Sequence, residues 1–306
     1  MSQGQAWCRP VSGLCGFATL SVMPSEERCP TPPLRCVLTI GGLDPSGGAG
    51  LTADARAVAA FGAHALPVIT AVVAQNTCGV RSWEAVTPTM LAAQLDVLLE
   101  DVHPDAVKIG MLPGVAEAEV VASQLRELRK ATPALPIIID PVFAPSNGPA
   151  FSDEATIAAI AGHLLPLCEV VTPNVPEAAR LSGLPPARDA REMQDTCRAL
   201  HARFGSRCVL LKGGHLAASE REGQAIDLLF DGVTFHELRA PWVQGYETRG
   251  TGCLLASALA AQRAQGVGVL EAASHAKEWL QRALVGAKAI GKGRRVATGA
   301  THDAAG

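Results

Sequence analysis

Short apolar runs alternate with longer amphipathic ones from Val37 to Ala289. Val37-Leu38-Thr39-Ile40, Leu66 to Ala74, Ala106 to Ile109, Ile137-Ile138-Ile139, Val170-Val171-Thr172 and Val209-Leu210-Leu211 read as buried strands. Leu51 to Phe61, closed by Gly62, reads as a helix. Thr87-Pro88 supplies the N-cap and first position of another, with Leu91, Leu95, Leu98 and Leu99 on its buried face. A third helix runs from the residues after Gly250 to Ala264, and a last amphipathic one from about Leu270 to Ala289. Ile226 to Phe230 and Val233 to Leu238, joined at Asp231-Gly232, predict a hairpin on a DG turn. Strands alternating with helices predict right-handed crossovers and a mostly parallel sheet covered on both faces.

Composition narrows the function. The chain has 306 residues, 48% hydrophobic and only 4% aromatic, so its core is built from Ala, Val, Leu and Ile, as parallel sheets require. A formal charge of -3 offers no basic surplus for nucleic acid, and no apolar run is long enough to span a bilayer. Small molecules are the expected partners. Nine cysteines stand without a CxxC pair or a zinc-like cluster, which fits a reducing cytoplasm, and Cys36, Cys168 and Cys208 are expected to serve as small buried hydrophobes. Residues 1–35 carry five prolines and no periodicity and are expected to be disordered or loosely attached, with Met23 an alternative start to Met1. Residues 36–291 form the expected domain and 292–306 a basic to polar tail.

The polar residues that break the pattern fall where strands end and helices begin, which is the ligand edge of an open α/β sheet. Gly250-Thr251-Gly252-Cys253 opens into a helix, so unpaired backbone N–H groups and the positive end of the dipole make an anion cradle, or else simply a tight helix start. Gly41-Gly42-Leu43-Asp44-Pro45-Ser46-Gly47-Gly48-Ala49-Gly50 is a second glycine-rich exit, without the GxGxxG of a dinucleotide site or the Lys of a P-loop. Asp54 is expected in the first turn of its helix, as dipole complement or ligand contact. Gln75-Asn76-Thr77 offers amides suited to a flat heterocycle, or turn caps. Asp140 ends an all-Ile strand, where a carboxylate needs a partner or a cation. Asn174 and Glu177, three apart, read as oxygen donors toward Mg²⁺ or as a capping box. Lys212 suits a phosphate, and Gly213-Gly214 suit close approach of a nucleotide. Gly286 to Lys292 spells GxxxxGK but lacks the following Ser/Thr and a preceding strand, so it is read as a helix end. Together these residues predict a phosphoryl-transfer enzyme.

Taken as a set, Asp44 to Gly50 with Asp54, Ala74 to Thr77, Lys108-Ile109-Gly110-Met111, Asp140-Pro141-Val142, Thr172-Pro173-Asn174 with Glu177, Lys212-Gly213-Gly214-His215 and Gly250 to Cys253 resemble the hydroxymethylpyrimidine/phosphomethylpyrimidine kinases of thiamine biosynthesis. That resemblance implies a three-layer α/β/α ribokinase-like fold, a homodimer, and ATP-dependent phosphorylation of 4-amino-5-hydroxymethyl-2-methylpyrimidine and then of its monophosphate. It implies a pyrimidine pocket at Gly42, Asp54, Gln75, Met111, Val142 and Cys253. ATP would fall on Asn174, Lys212, Gly213, Thr251 and Gly252, with Mg²⁺ at Asp140 and Glu177. Cys253, at a helix start that should lower its pKa, is the expected base for the first transfer, with Gly250, Thr251, Gly252 and Lys212 completing the catalytic set. Glu247-Thr248-Arg249 departs from the family pattern, and Arg249 is expected to add charge near the phosphates with Glu247 opposing it. A pyridoxal kinase, or a non-catalytic pyrimidine- or nucleotide-binding regulator on the same fold, are the alternatives.

Overall fold

Alternation along each central strand decides which helices it meets. The computed structural model describes residues 33–145, 147–214, 216, 223–243 and 247–298. The strands are β1 (Cys36–Leu43), β2 (His64–Gln75), β3 (Val80–Ala85), β4 (Ala106–Ile109), β5 (Ile137–Ile139), β6 (Val170–Val171), β7 (Cys208–Lys212), β8 (Gln224–Phe230), β9 (Phe235–Pro241), β10 (Thr248–Arg249) and β11 (Arg295–Val296). The helices are α1 (Gly50–Ala60), α2 (Pro88–Asp101), α3 (Val115–Ala131), α4 (Glu154–Ala159), α5 (Val175–Ser182), α6 (Ala190–Phe204), α7 (Thr251–Ala264) and α8 (Val269–Val285).

One sheet runs β3-β2-β1-β4-β5-β6-β7-β8-β9. Its six central strands, β2 to β7 in that row, are parallel, while β3, β8 and β9 pair antiparallel at the flanks. Leu38, Ile40, Val107, Ile109, Ile137 and Ile139 face α2, α3, α5 and α6. Val37, Ala106, Ile138, Val170 and Leu210 face the other way, onto α1, α7 and α8. The three-layer, mostly parallel architecture expected from the sequence is the observed one. Each buried Leu or Ile in these faces contributes roughly 1.5–3 kcal/mol, so the two faces together fix the register of the sheet.

Order reverses at β1, where the chain first steps outward to β2 and then returns to the other side as β4. Such a switch point leaves a crevice at the carboxyl ends of the strands. The crevice is where the site lies.

Several boundaries differ from the sequence reading. Gly41 and Gly42 belong to β1, and β2 extends through Gln75. Strand β3 has no sequence signature: only Val80 is buried, so an exposed edge strand carries no apolar repeat. The expected two-residue turn at Asp231-Gly232 is a four-residue connection, because Phe230 pairs with Phe235 and Asp231 Oδ1 accepts from the backbone N–H groups of Val233 and Thr234. The last helix ends at Val285 rather than near Ala289, with Gly286 as its C-cap. Cys168 and Cys208 are buried as expected, whereas Cys36 is only half-buried. The N-terminal extension lies, up to residue 32, outside the described residues. Among the described residues, no helix is long and apolar enough to cross a membrane.

Beyond residue 291 the chain is built into the molecule. Strand β11 pairs in parallel with β10, just ahead of α7. Gly293 N–H donates to Thr77 Oγ1 at 3.1 Å, and Arg294 N–H to the Thr77 carbonyl at 2.9 Å. A Cβ on Gly293 would stand 2.2 Å from that carbonyl, so only glycine permits the contact. Residues 291–296 therefore brace the turn after β2 against the start of α7. The near-P-loop string, read as a helix end, starts at the C-cap Gly286 of α8 and leads into this brace.

Candidate active site

A cavity of about 820 Å³ opens along the crevice, a size suited to two small ligands side by side. Its walls are the ends of β1, β2, β4, β5 and β7, the start of α5 and the start of α7.

Helix α7 starts at Gly250, whose φ of 68° is left-handed. A Cβ there would meet the Gly48 carbonyl at 2.2 Å. The cradle and the first glycine-rich loop thus pack backbone on backbone, which explains why both are glycine-rich. Leu254 N–H is the first to bond back, to Gly250 O at 2.9 Å, so the N–H groups of Thr251, Gly252 and Cys253 precede the helical ladder. Around them the cavity is cationic and acidic in close order: Lys212 Nζ lies 2.7 Å from Asp140 Oδ1 and 3.9 Å from Glu177 Oε2. A Cβ on Gly252 would come within 3.0 Å of Lys212 Nζ and 3.2 Å of Asp140 Oδ2. The open N–H groups at the start of α7, the lysine and the two carboxylates converge on one point.

Asn174 and Glu177 form a reciprocal cap on α5: Glu177 N–H donates to Asn174 Oδ1 at 2.9 Å, and Asn174 N–H to Glu177 Oε2 at 2.7 Å. The capping-box reading is therefore realised, and both side chains still line the cavity. Burial, reinforced by the charge of Asp140 and opposed by Lys212, pushes the Glu177 carboxyl up to about 7. Lys212 is raised as well: burial works against its charge, but Asp140 and Glu177 hold the ammonium above its ordinary range. Among the described residues, Asp140 Oδ2 and Glu177 Oε1 have no hydrogen-bond partner. Two hard oxygen donors, each with an oxygen unengaged by the protein, fit a Mg²⁺ held partly through water and phosphate.

Gly213 departs from expectation. Its N–H donates to Asp227 Oδ1 at 3.1 Å, and a Cβ would meet the Ile226 carbonyl at 2.1 Å. Close approach of β8, not of a nucleotide, is what demands glycine here. Asp227 is itself tied to Lys277 at 2.6 Å.

On the acceptor side, Gly42, Met111, Val142 and Gln75 line the cavity together. A Cβ on Gly42 would lie 2.9 Å from Met111 Sδ, so the bare backbone of β1 is what lets Met111 pack against it at the cavity wall. Met111 packs with Val73, Phe151 and Val142 in a small apolar cluster under β2 and β3. Asn76 and Thr77 serve local structure instead: Asn76 Oδ1 accepts from Cys78 N–H at 2.8 Å, and Thr77 anchors the brace.

Asp54 lies in the second turn of α1, not the first, and is fully buried. Lys108 Nζ reaches both its oxygens at 2.8 and 2.9 Å, and Ser257 Oγ donates to it at 2.8 Å. Burial pushes the Asp54 carboxyl up while Lys108 and Ser257 pull it back, and two short contacts to both oxygens are the geometry of a charged pair. Ser257 is not legible in the sequence, and Lys108 stands there only as part of its motif, with no role; a lysine inside a four-residue apolar strand was the available signal.

Cys253 lines the cavity beside this pair. Burial pushes its thiol up to about 11, with Asp54 and Asp140 adding to the rise against the pull of Lys108. The direction is opposite to the lowering expected from the sequence, because desolvation and two carboxylates exceed the pull of Lys108 and of the Gly50 backbone. The expected opposition of Glu247 to Arg249 is not a direct pair: Arg249 Nη1 donates to Asn76 O at 2.9 Å, while Glu247 pairs with Arg294 at 2.7 Å.

Sheet order, switch-point crevice and phosphate cradle define a small-molecule kinase of the ribokinase-like fold. The phosphomethylpyrimidine kinase family model matches residues 44–298, and the chain belongs to that family. The hydroxymethylpyrimidine/phosphomethylpyrimidine kinase of Salmonella typhimurium is 42% identical over 258 residues, covering 84% of this chain and 94% of that one. The thiamine biosynthesis bifunctional protein of Geobacter sulfurreducens is 40% identical over 276 residues, and this chain spans 54% of its length. A pyridoxal kinase of Staphylococcus aureus, solved in complex with pyridoxal, superposes with a TM-score of 0.78 at 29% identity over 89% of this chain and 96% of that one.

Proposed function

We propose that the protein transfers the terminal phosphoryl group of ATP to the hydroxymethyl oxygen of 4-amino-5-hydroxymethyl-2-methylpyrimidine, and then to the resulting monophosphate, as a step of thiamine biosynthesis. The observation that carries the reading is the convergence of the Gly250–Gly252 backbone, Lys212, Asp140 and Glu177 on one point of a cavity whose other wall is Gly42, Gln75, Met111 and Val142. Backbone N–H groups fixed in place stabilise charge on a phosphoryl group in transit without reorganising. Lys212 neutralises the same group as a point charge, and the amide of Gln75 offers both a donor and an acceptor to a ring nitrogen and an exocyclic amine. Mg²⁺, held through Asp140 and Glu177, would supply charge neutralisation between the phosphates.

Cys253 sits at the cradle as a neutral thiol, so its contribution to the first transfer depends on losing that proton once substrate is bound. A coupled ADP-release assay with the pyrimidine, its monophosphate and pyridoxal tests the whole reading. Turnover of pyridoxal alone would favour the second reading, a pyridoxal kinase, which the structural likeness to such kinases supports. Binding of both ligands without ADP release would favour a regulator. The reading also carries a homodimeric enzyme of the cytoplasm whose kinase domain begins near residue 36 and, because residues 291–296 pack on Thr77 and β10, runs past the boundary at 291 expected from the sequence; sedimentation, fractionation and limited proteolysis are the tests.

A further inference from the structure

The second transfer needs a cation that the first does not, because the acceptor then bears a phosphate of nearly two negative charges. The lysines along the cavity are already committed. Lys212 is held by Asp140 at 2.7 Å, Lys108 by Asp54 at 2.8 Å and Lys277 by Asp227 at 2.6 Å. The loop from Phe143 to Gly148 contributes no cation.

Two arginines at the acceptor end differ from these. Arg249 packs its stem on Gly48 and sends Nη1 to the Asn76 carbonyl, while its Nε is buried with no hydrogen-bond partner among the described residues. A buried donor left unpaired costs free energy unless something outside the protein accepts from it. Arg294 is set in place by its own backbone bond to Thr77, and its guanidinium meets Glu247 in a pair whose side chains are 30% and 75% exposed. Such an exposed pair contributes little, and a phosphate ester with three acceptor oxygens is a better partner for a planar guanidinium than a solvent-exposed carboxylate. Both arginines line the cavity that holds Cys253 and Gln75.

We propose that Arg249 and Arg294 receive the phosphate of the monophosphorylated acceptor and so determine whether the enzyme accepts it. The proposal rests on the two-step reading given above. Glu247 is then a placeholder that swings into solvent when the phosphate arrives, and the brace of residues 291–296 is what carries Arg294 to the site.

The test compares Arg249→Gln and Arg294→Gln with the unaltered chain, using kcat/KM for the pyrimidine and for its monophosphate, and calorimetric binding of both to nucleotide-free protein. Melting temperature controls for folding. The expected result is a loss of roughly tenfold to a hundredfold with the monophosphate and less than about threefold with the alcohol, and KM for ATP unmoved. Arg294→Lys should recover part of the loss. Equal losses with both acceptors, or a rise in KM for ATP with the acceptor ratio intact, would overturn the assignment. If the unaltered chain phosphorylates neither pyrimidine, the two-step reading fails by itself, and binding decides the arginines: a preference for the ester that the variants lose upholds them, and no preference in the unaltered chain overturns them.

Discussion

Lys108 and Asp54 form an ion pair closed to solvent, with side-chain exposures of 1% and 0% and both carboxylate oxygens within 2.9 Å of the ammonium. The pair joins β4 to α1, and Ser257 extends it to α7, so it fixes the floor beneath Cys253. Removing one partner leaves an uncompensated buried charge. Lys108→Met should destabilise the fold by about 3–5 kcal/mol in denaturant titration. Adding Asp54→Leu should restore most of that stability. Failure of the second change to recover stability would show that the two residues are not energetically coupled.

Gly250 and Gly252 should respond to alanine in different ways. At Gly250 the new methyl would strike the Gly48 carbonyl on a left-handed backbone, so the cost falls on folding. At Gly252 it would press on Lys212 Nζ and Asp140 Oδ2, both movable side-chain atoms, so the cost falls on the cradle. Gly252→Ala keeps its N–H but displaces Lys212 and Asp140 from the cradle, so it is expected to lower kcat by about tenfold or more with a near-normal melting temperature. Equal thermal losses for the two variants would contradict this division.

The thiols of Cys78 and Cys253 both line the cavity, yet Cys78 is exposed. With Cys253 pushed up to about 11, its thiolate is on the order of one part in a thousand at pH 8. Iodoacetamide at pH 8 should label Cys78 well before Cys253, read by peptide mass spectrometry, and labelling of Cys253 should quicken about tenfold per pH unit up to about 11. Equal labelling rates at pH 8 would restore the lowered-pKa expectation.

Glu177, pushed up to about 7 from a free value of 4.5, makes the ligand-free protein sensitive to pH. A carboxyl whose folded pKa lies above its unfolded one adds stability that is complete below about 4.5 and lost as pH rises through about 7. The melting temperature should therefore fall between pH 5 and 8. Glu177→Gln, which keeps the reciprocal cap on α5, should flatten that profile, and so should Mg²⁺ with ATP. A profile of Glu177→Gln parallel to that of the unaltered chain would assign the pH dependence to other groups.

Much of the site was legible because its residues are sequence-local exceptions to a strong pattern. Asp140 after three isoleucines and Gly250 before an apolar helix stand out whatever surrounds them. Other features were illegible because they depend on partners distant in sequence. Gly213 reads the same whether a nucleotide or the Ile226 carbonyl approaches it. Thr77 looks like a turn residue until the brace, more than two hundred residues later, is laid on it.

The chain's own alternation of apolar strands and amphipathic helices determined the layered sheet and the edge at which ligands meet it, since hydrophobic burial acts on periodicity alone. Tertiary structure decided the electrostatics: which carboxylate takes which lysine, how far burial raises the Cys253 thiol, and which arginine faces the cavity. Those follow from distance and desolvation between residues far apart in the chain, and neither quantity is written in the order of the amino acids.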